Sequence, residues 1–273
     1  MVKYKIIILI DTSYMIFYRF FAILKWYSLA HTNDFKLNNN SSYDWCTNNI
    51  FLEKYKKKFL ESLINLLKQN IFENSNIFFC IDAPLKTLWR IKLKYDYKYK
   101  IISKYNYKSI FNYTYKYLIP KIINNYLNIN SIKINNVEAD DIIASICLYL
   151  KNTDNKIYII SSDNDFLQLG RKNVYFYNFK TKHPFNISLE TAYEILKKKI
   201  IYGDKSDCID SIFKKGYGIK KKDLLNNKIL FNYLNKNPNI KKLYNLNKKL
   251  INFNNIPKIY YNTIIKKFNK LYH

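Results

Sequence analysis

Three β-branched apolar runs in this chain stop at, or just short of, a carboxylate. Lys5 to Ile10 ends at Asp11, Ile77 to Ile81 ends at Asp82, and Lys156 to Ile160 ends shortly before Asp163 and Asp165. Runs of that length and type read as central strands. Val174 to Tyr177 and the short Ile132 to Ile134 extend the set. Helix-like stretches lie between them, which predicts an α/β protein with a parallel sheet flanked by helices on both faces. Sites in such sheets form outside the carboxyl ends of the strands. The pattern therefore predicts four acids, from three separate regions, at one edge.

The helical stretches are read as follows. One runs from Thr12, taken as its cap, through Tyr18 to about Tyr27. Another spans Phe51 to Lys68, with Phe59, Leu63, Leu66 and Leu67 at helical spacing. Tyr115 to Leu127 is a third, and Glu138 to Leu150 a fourth, with Ile142, Ile143, Ile146 and Leu150 inward. Ser188 caps a fifth that ends at Tyr202. Residues 31–49 are Asn-rich without a period and read as a loop, whereas 85–115 read as a basic, helical, mobile segment. Gly203 to about Leu230 reads as helix–turn–helix, with Gly216 and Gly218 at its turn, and 231–273 as a Lys/Asn-rich helical tail.

The charge is unevenly placed. Lys plus Arg number 46 against 20 Asp plus Glu, for a formal net charge of +26. That excess points to a polyanionic partner, although part of it reflects a Lys-, Asn- and Ile-rich composition. Only Arg19, Arg90 and Arg171 are arginines. Against this background, nine acids fall into five groups: Asp11; Asp82; Glu138, Asp140 and Asp141; Asp163 and Asp165; Asp204 and Asp207. Some of them also fit ordinary partners of a helix dipole or a turn, Glu138, Asp140 and Asp204 above all. Taken together, they fit a shared cation site. Clustered carboxylates repel one another unless something neutralises them, and hard oxygen ligands suit Mg²⁺ or Mn²⁺. Glu138 and Asp141 are three apart and share a helix face. Asp163 and Asp165 can aim at one ion. Two ions held this way supply what phosphodiester hydrolysis needs. An acidic cage in a basic shell is the charge pattern expected of an enzyme that cuts nucleic acid.

Other classes fit less well. The cysteines Cys46, Cys80, Cys147 and Cys208 are dispersed, which argues against a zinc site or disulfide framework and for a reducing, intracellular compartment. Cytoplasm, nucleus and a viral replication site are not distinguished. No run of 18 apolar residues predicts a membrane span, and the apolar start reads as a strand, not a signal peptide.

The motifs IIILIDTSYMIFYRFFA, FFCIDAPLKTLWR, NNVEADDIIASI, YIISSDNDFLQL and IYGDKSDCIDSIFKKGYGI resemble those of the 5′-nuclease (flap endonuclease, XPG-like) family. That family includes the 5′→3′ exonuclease domain of bacterial DNA polymerase I. The likeness runs from about residue 5 to about residue 225, and some stretches look closest to stand-alone members from large DNA viruses. The resemblance implies a PIN-like core over 1–200, including a helical arch at about 85–115. It implies a helix–hairpin–helix-type region and helical tail over 201–273. Asp82, Glu138, Asp140 and Asp141 would serve one Mg²⁺ and Asp163, Asp165, Asp204 and Asp207 a second, with Asp11 orienting waters between them. Arg90 and Lys98 would meet the scissile phosphate, and Tyr97 would stack on a base. Lys214, Lys215, Gly216, Gly218, Lys220 and Lys221 would grip duplex backbone, in some members with a K⁺ ion. Cys208 stands where the family has Asn, and the proline-rich lead-in is missing, which weakens the K⁺ expectation. The 31–49 loop also lacks the family's usual Gly-containing segment.

The implied activity is a metal-dependent, structure-specific 5′→3′ exonuclease or flap endonuclease. It would act as a monomer on 5′ flaps, nicks or recessed ends, RNA primers included. Any polymerase partner would be a separate chain, and no short terminal motif for docking a sliding clamp is present. Two rivals are a PIN-like ribonuclease and a nucleic-acid-binding protein that has lost catalysis.

Overall fold

The computed structural model describes residues 5–38, 40, 42–98, 105–213 and 220–272. Its centre is a five-stranded, wholly parallel sheet: β1 (Ile6–Asp11), β2 (Ser75–Ile81), β3 (Ile129–Lys133), β4 (Lys156–Ile160) and β5 (Val174–Tyr177). The order is β3-β2-β1-β4-β5. Sequence and space agree from β1 to β3, and then β4 returns to the other side of β1. The order therefore reverses beside β1, where open α/β sheets place their crevice. Asp11 closes β1 at that point, in register with Cys80 of β2.

The first crossover carries α1 (Thr12–Ala30), α2 (Thr32–Asn38), α3 (Asn49–Leu67) and α4 (Gln69–Glu73). The second carries two 3₁₀ turns, Leu85–Thr87 and Trp89–Lys92, and then an unbroken helical run. That run is α5 (Lys108–Tyr113), a π-helical turn over Thr114–Leu118, and α6 (Ile119–Asn125). α7 (Ala139–Tyr149) joins β3 to β4, and α8 (Leu189–Tyr202) follows β5. The C-terminal part holds α9 (Asn227–Lys236), α10 (Pro238–Ile251) and α11 (Lys258–Tyr272).

Strand alternation divides the core between two faces. Ile8 and Ile10 pack with α1, α3 and the α5–α6 run, while Ile7 and Leu9 pack with α7 and α11. Because both faces are covered, the strands read as continuous apolar runs.

Several expectations change. Asp11, not Thr12, caps α1: its Oδ1 accepts from the Tyr14 amide at 3.0 Å. Part of the expected 31–49 loop is helix α2, and Trp45 is fully buried against Tyr27, Tyr43 and Phe51. Between 85 and 98 the chain makes short turns instead of the long helices an arch would need. Residues 99–104 lie outside the described residues, as do Lys214, Lys215, Gly216 and Gly218 of the expected hairpin. The tail is not an appendage. Ile264, Ile265, Phe268 and Tyr272 of α11 complete the α7-side core, and Phe268 meets Phe78 at 5.2 Å between ring centroids. Ser188 caps α8, as read from the sequence, accepting from the Thr191 amide at 3.1 Å.

Asn247 ties α10 to the rest. Only 1% exposed, it donates to the backbone carbonyls of Ile200 at 3.1 Å and Asp210 at 2.8 Å. Asn247→Ala strands two carbonyls and is expected to cost about 1–3 kcal/mol, read as a Tm lowered by several degrees.

Candidate metal centre

The acids gather at the carboxyl edge of the sheet, around the reversal of strand order. Asp11 sits at the tip of β1, where its Oδ2 accepts from the Ser161 hydroxyl at 2.9 Å just past β4. That bond ties together the two strands flanking the crevice. Asp82, just past β2, accepts from the Ser13 hydroxyl at 2.6 Å and from the Ala139 amide at 2.8 Å. It is thereby aimed at the first turn of α7. Asp163 starts the 3₁₀ turn Asn164–Leu169 and accepts from the Asp165 amide at 2.8 Å.

Mutual repulsion links these groups. Burial, together with the field of Asp82 and, more weakly, Asp163, pushes the Asp11 carboxyl up to about 7 against the opposing bonds from Tyr14 and Ser161. Asp140 is raised well above the usual carboxylate range by burial, with Lys98 opposing and Glu138, Asp11 and Asp163 adding to the rise. Asp163 is raised too, by burial, with Lys199 and Lys98 opposing and Asp204 and Glu138 adding. Carboxylates that lift one another in this way are within each other's field. Among the described residues no donor reaches the Asp140 carboxylate.

The second half of the centre is more open. Carboxylate oxygens of Asp165, Asp204 and Asp207 lie within 4.8 Å of one another. Asp204 and Asp207 ride on a tight turn after α8. Gly203, at φ +71°, starts that turn, and any Cβ there would meet the Ile209 carbonyl oxygen at 2.3 Å, so only glycine fits. Lys199 bridges this half, contacting Asp165 and lying 2.6 Å from Asp204 Oδ2. Burial pushes Asp204 up, but Lys199 and Ser206 outweigh it and hold the group at about 2. Asp207 rises instead, through burial, Asp204 and Glu138, against Lys98 and Lys199.

Glu138, Asp140 and Asp141 do not all turn the same way. Asp141 is fully buried and gripped by the Arg90 fork, Nη2 to Oδ1 at 2.7 Å and Nη1 to Oδ2 at 2.9 Å. Its Oδ2 also accepts from the Trp89 indole at 2.9 Å and the Glu138 amide at 3.2 Å. Its oxygens are turned to Arg90 and Trp89 in the sealed core, whereas the ligand role expected of it needs them toward the cluster. Arg90 departs as well. It is 2% exposed, donates also to Glu138 at 2.6 Å and to the Leu250 carbonyl at 2.8 Å, and meets no solvent-borne phosphate. Tyr97 is 4% exposed, and its hydroxyl stands 3.2 Å from both Glu138 and Asp207, so its ring is not open to a stacking base.

Lys98 remains reachable. Its side chain is 25% exposed and its Nζ lies 2.6 Å from Glu138 and 3.9 Å from Asp207. Its backbone sits at φ +56°, a strained choice for lysine that aims the ammonium at the acids. Burial raises Glu138, but Lys98 and Arg90 outweigh it and keep that group below its ordinary value. Lys220 and Lys221 are both exposed, Lys221 with its ammonium 4.3 Å from the Tyr202 ring centre. Sequence reasoning missed Lys199, Trp89, Ser13 and Ser161. Lys199 was hidden among many lysines, and the others carry no charge to mark them.

The donor set suits a hard divalent cation: carboxylates only, with Asp11, Asp140, Asp163 and Asp207 lifted by burial and by their neighbours, and Asp140 without a hydrogen-bond donor among the described residues. The repulsion also predicts a pH effect. A carboxyl raised from 3.8 to about 7 stabilises the fold fully below its ordinary value and loses that contribution as pH rises through about 7. Asp140, Asp163 and Asp207 act with the same sign. In chelator, Tm should fall by roughly 5 °C or more between pH 5 and 8, and saturating Mg²⁺ or Mn²⁺ should restore it. A Tm flat across that range would count against the mutual repulsion of these acids.

Residues 6–200 match the family described as 5′-3′ exonuclease, N-terminal resolvase-like domain. A 5′-3′ exonuclease of Mycoplasmopsis pulmonis (strain UAB CTIP) is 34% identical over 178 residues, covering 62% of this chain and 56% of that protein. One from Buchnera aphidicola subsp. Acyrthosiphon pisum (strain APS) is 29% identical over 217 residues, covering 75% and 69%. Among solved structures, T5 5′-exonuclease with bound divalent metal ions (zinc) aligns at TM-score 0.62 and 14% identity, covering 98% of this chain and 100% of that one. The bacteriophage T5 flap endonuclease, in a pseudo-enzyme-product complex with DNA and metal ions, aligns at 0.59 and 15%, covering 98% and 99%. The structural likeness shows a shared PIN-like fold. No helix among the described residues is long and apolar enough to cross a membrane.

Proposed function

Because the chain belongs to the 5′-3′ exonuclease family with the N-terminal resolvase-like domain, we propose that it is a divalent-metal-dependent 5′-nuclease acting on DNA. The observation that carries this reading is the gathering of carboxylates at the strand-order reversal, with Asp165, Asp204 and Asp207 oxygens within 4.8 Å and Asp11 tied across to Ser161, inside a chain of net charge +26. The matched relatives are named for the same activity, and a structural neighbour is a flap endonuclease complexed with DNA.

In this reading Asp82, Glu138 and Asp140 hold one Mg²⁺ or Mn²⁺, Asp163, Asp165, Asp204 and Asp207 hold another, and Asp11 stands between them. Bound ions would supply Lewis acidity and a water of lowered pKa. The chain's own residues do the rest. Arg90, Asp141 and Trp89 form a buried brace that fixes Glu138 from behind. Tyr97 links Glu138 to Asp207 and so spaces the two halves. Lys98, partly exposed and flexible, is the cation able to meet a phosphate at the rim. Lys220 and Lys221 give backbone contacts without base readout. Products carry a 5′-phosphate and a 3′-hydroxyl.

The test is a 5′-labelled flap, a nicked duplex and a matched RNA flap, each with Mg²⁺ and with chelator. Cleavage of the DNA flap only with metal is expected. Binding in Ca²⁺ should weaken on the order of 10³-fold from 50 to 200 mM salt if six or more phosphates are contacted. Metal-independent cleavage, or none on any 5′ end, would overturn the proposal. Preferential cleavage of RNA would move the substrate.

A further inference from the structure

We propose that Lys199 is a resident cation that a divalent ion must displace from Asp165, Asp204 and Asp207, so that this lysine sets the metal affinity of that half of the centre. The proposal rests on reading the acids as metal ligands, as above. Lys199 lies in the last turn of α8, its side chain 19% exposed, in contact with Asp165 and 2.6 Å from Asp204 Oδ2. These are two of the three carboxylates whose oxygens cluster within 4.8 Å. Its charge is also felt at Asp163 and Asp207. An ammonium and a divalent ion both need the oxygens of Asp165 and Asp204, and at a few ångströms they repel each other. Both cannot hold the trio at full strength.

Two contrasts support a movable counter-ion. Arg90 holds Asp141 with a two-pronged fork in a sealed core, fixed also by the Leu250 carbonyl. Lys199 is a point charge on a flexible four-carbon stem and reaches solvent. It also has somewhere to go, because the carboxyl end of α8 favours a nearby positive charge with or without the acids. Unlike Lys98, it makes no contact with Glu138 among the described residues. Removing it therefore changes the Asp165–Asp204–Asp207 half selectively.

The test uses the full chain without substrate. Mn²⁺ binding is measured by calorimetry and electron paramagnetic resonance for wild type, Lys199→Met, Lys199→Gln and Lys199→Arg. Wild type should bind two ions. The Met and Gln variants should bind the weaker ion at least tenfold more tightly, whereas the Arg variant should bind it no more tightly than wild type. A readout on wild type avoids dependence on folding of the variants. Lysines are ¹³C-dimethylated, and the resonance missing from Lys199→Arg is followed during Ca²⁺ titration. It should shift as the weaker ion binds. Two ions bound with unchanged or weaker affinity in the Met and Gln variants, or a Lys199 resonance that ignores Ca²⁺, would overturn this inference alone. A wild type that binds no ion at these acids would sink the functional reading with it.

Discussion

Asp140→Asn should lower Mg²⁺-dependent cleavage of a 5′-flapped duplex by on the order of 10³-fold, about 4 kcal/mol of barrier, while raising the Tm of the metal-free protein. The two effects share one cause. Asp140 is lifted by burial and by Glu138, Asp11 and Asp163, and no described residue donates to it. Lys98 offsets only part of that cost, and a bound divalent cation would offset the rest. Asparagine keeps the shape, removes the repulsion and supplies no anionic ligand. Relief of about 1 kcal/mol would raise Tm by roughly 2–4 °C. Asp82→Asn provides the contrast, since it disturbs bonds from Ser13 and the Ala139 amide and should lower both activity and Tm. Melting in chelator and single-turnover cleavage check the pair. Cleavage of Asp140→Asn within tenfold of wild type, or a lowered Tm, would show that Asp140 is a structural acid.

The largest effect on stability is expected from Arg90→Met. It leaves Asp141, with no exposure, without its counter-charge, and Glu138, nearly as buried, with Lys98 alone. Breaking one side of a buried pair typically costs about 3–5 kcal/mol, or roughly 10 °C in Tm here. Adding Asp141→Leu should recover much of that loss, because the stranded charge, not lost packing, causes it. Arg90→Lys should not, since an ammonium cannot make the fork to Asp141 together with the bond to Leu250. Cleavage should fall as well, though Arg90 meets no substrate, because Glu138 loses its brace. Thermal melts of the three variants in chelator decide it. A full rescue by lysine would remove the fork from the account.

The strands were legible because each is a short apolar run, three of them followed closely by an acid, and β4 and β5 match the residues read from the sequence. The common edge of Asp11, Asp82 and Asp163 followed from parallel strands. What spacing could not resolve was direction within one turn. Glu138 and Asp141 do share a face, but successive helix residues differ by about 100°, so Asp140 and Asp141 cannot both aim at one point. The structure turns Asp141 inward to Arg90. Rarity misled in the same place: a lone arginine among lysines reads as a substrate contact, yet a bidentate fork is equally what a buried carboxylate requires. Lys199 had the opposite problem, since nothing in a lysine-rich helix marks the one that faces acids. In α11, the apolar stripe of Ile264, Ile265, Phe268 and Tyr272 has helical spacing but is diluted by Lys and Asn. The Asn-rich 31–49 segment hid its core contacts, since buried Trp45 and its neighbours Phe35 and Tyr43 follow no helical or strand period.

The position of α11 has a consequence for how the protein is made. Phe268 is added 190 residues after its partner Phe78. A nascent chain halted before α11 emerges would lack Ile264, Ile265, Phe268 and Tyr272 from the α7-side core, leaving Phe78 and the outer face of α7 uncovered. Ribosome-bound chains stopped there should be cut by proteases more readily than chains lengthened until all of α11 lies outside the ribosome.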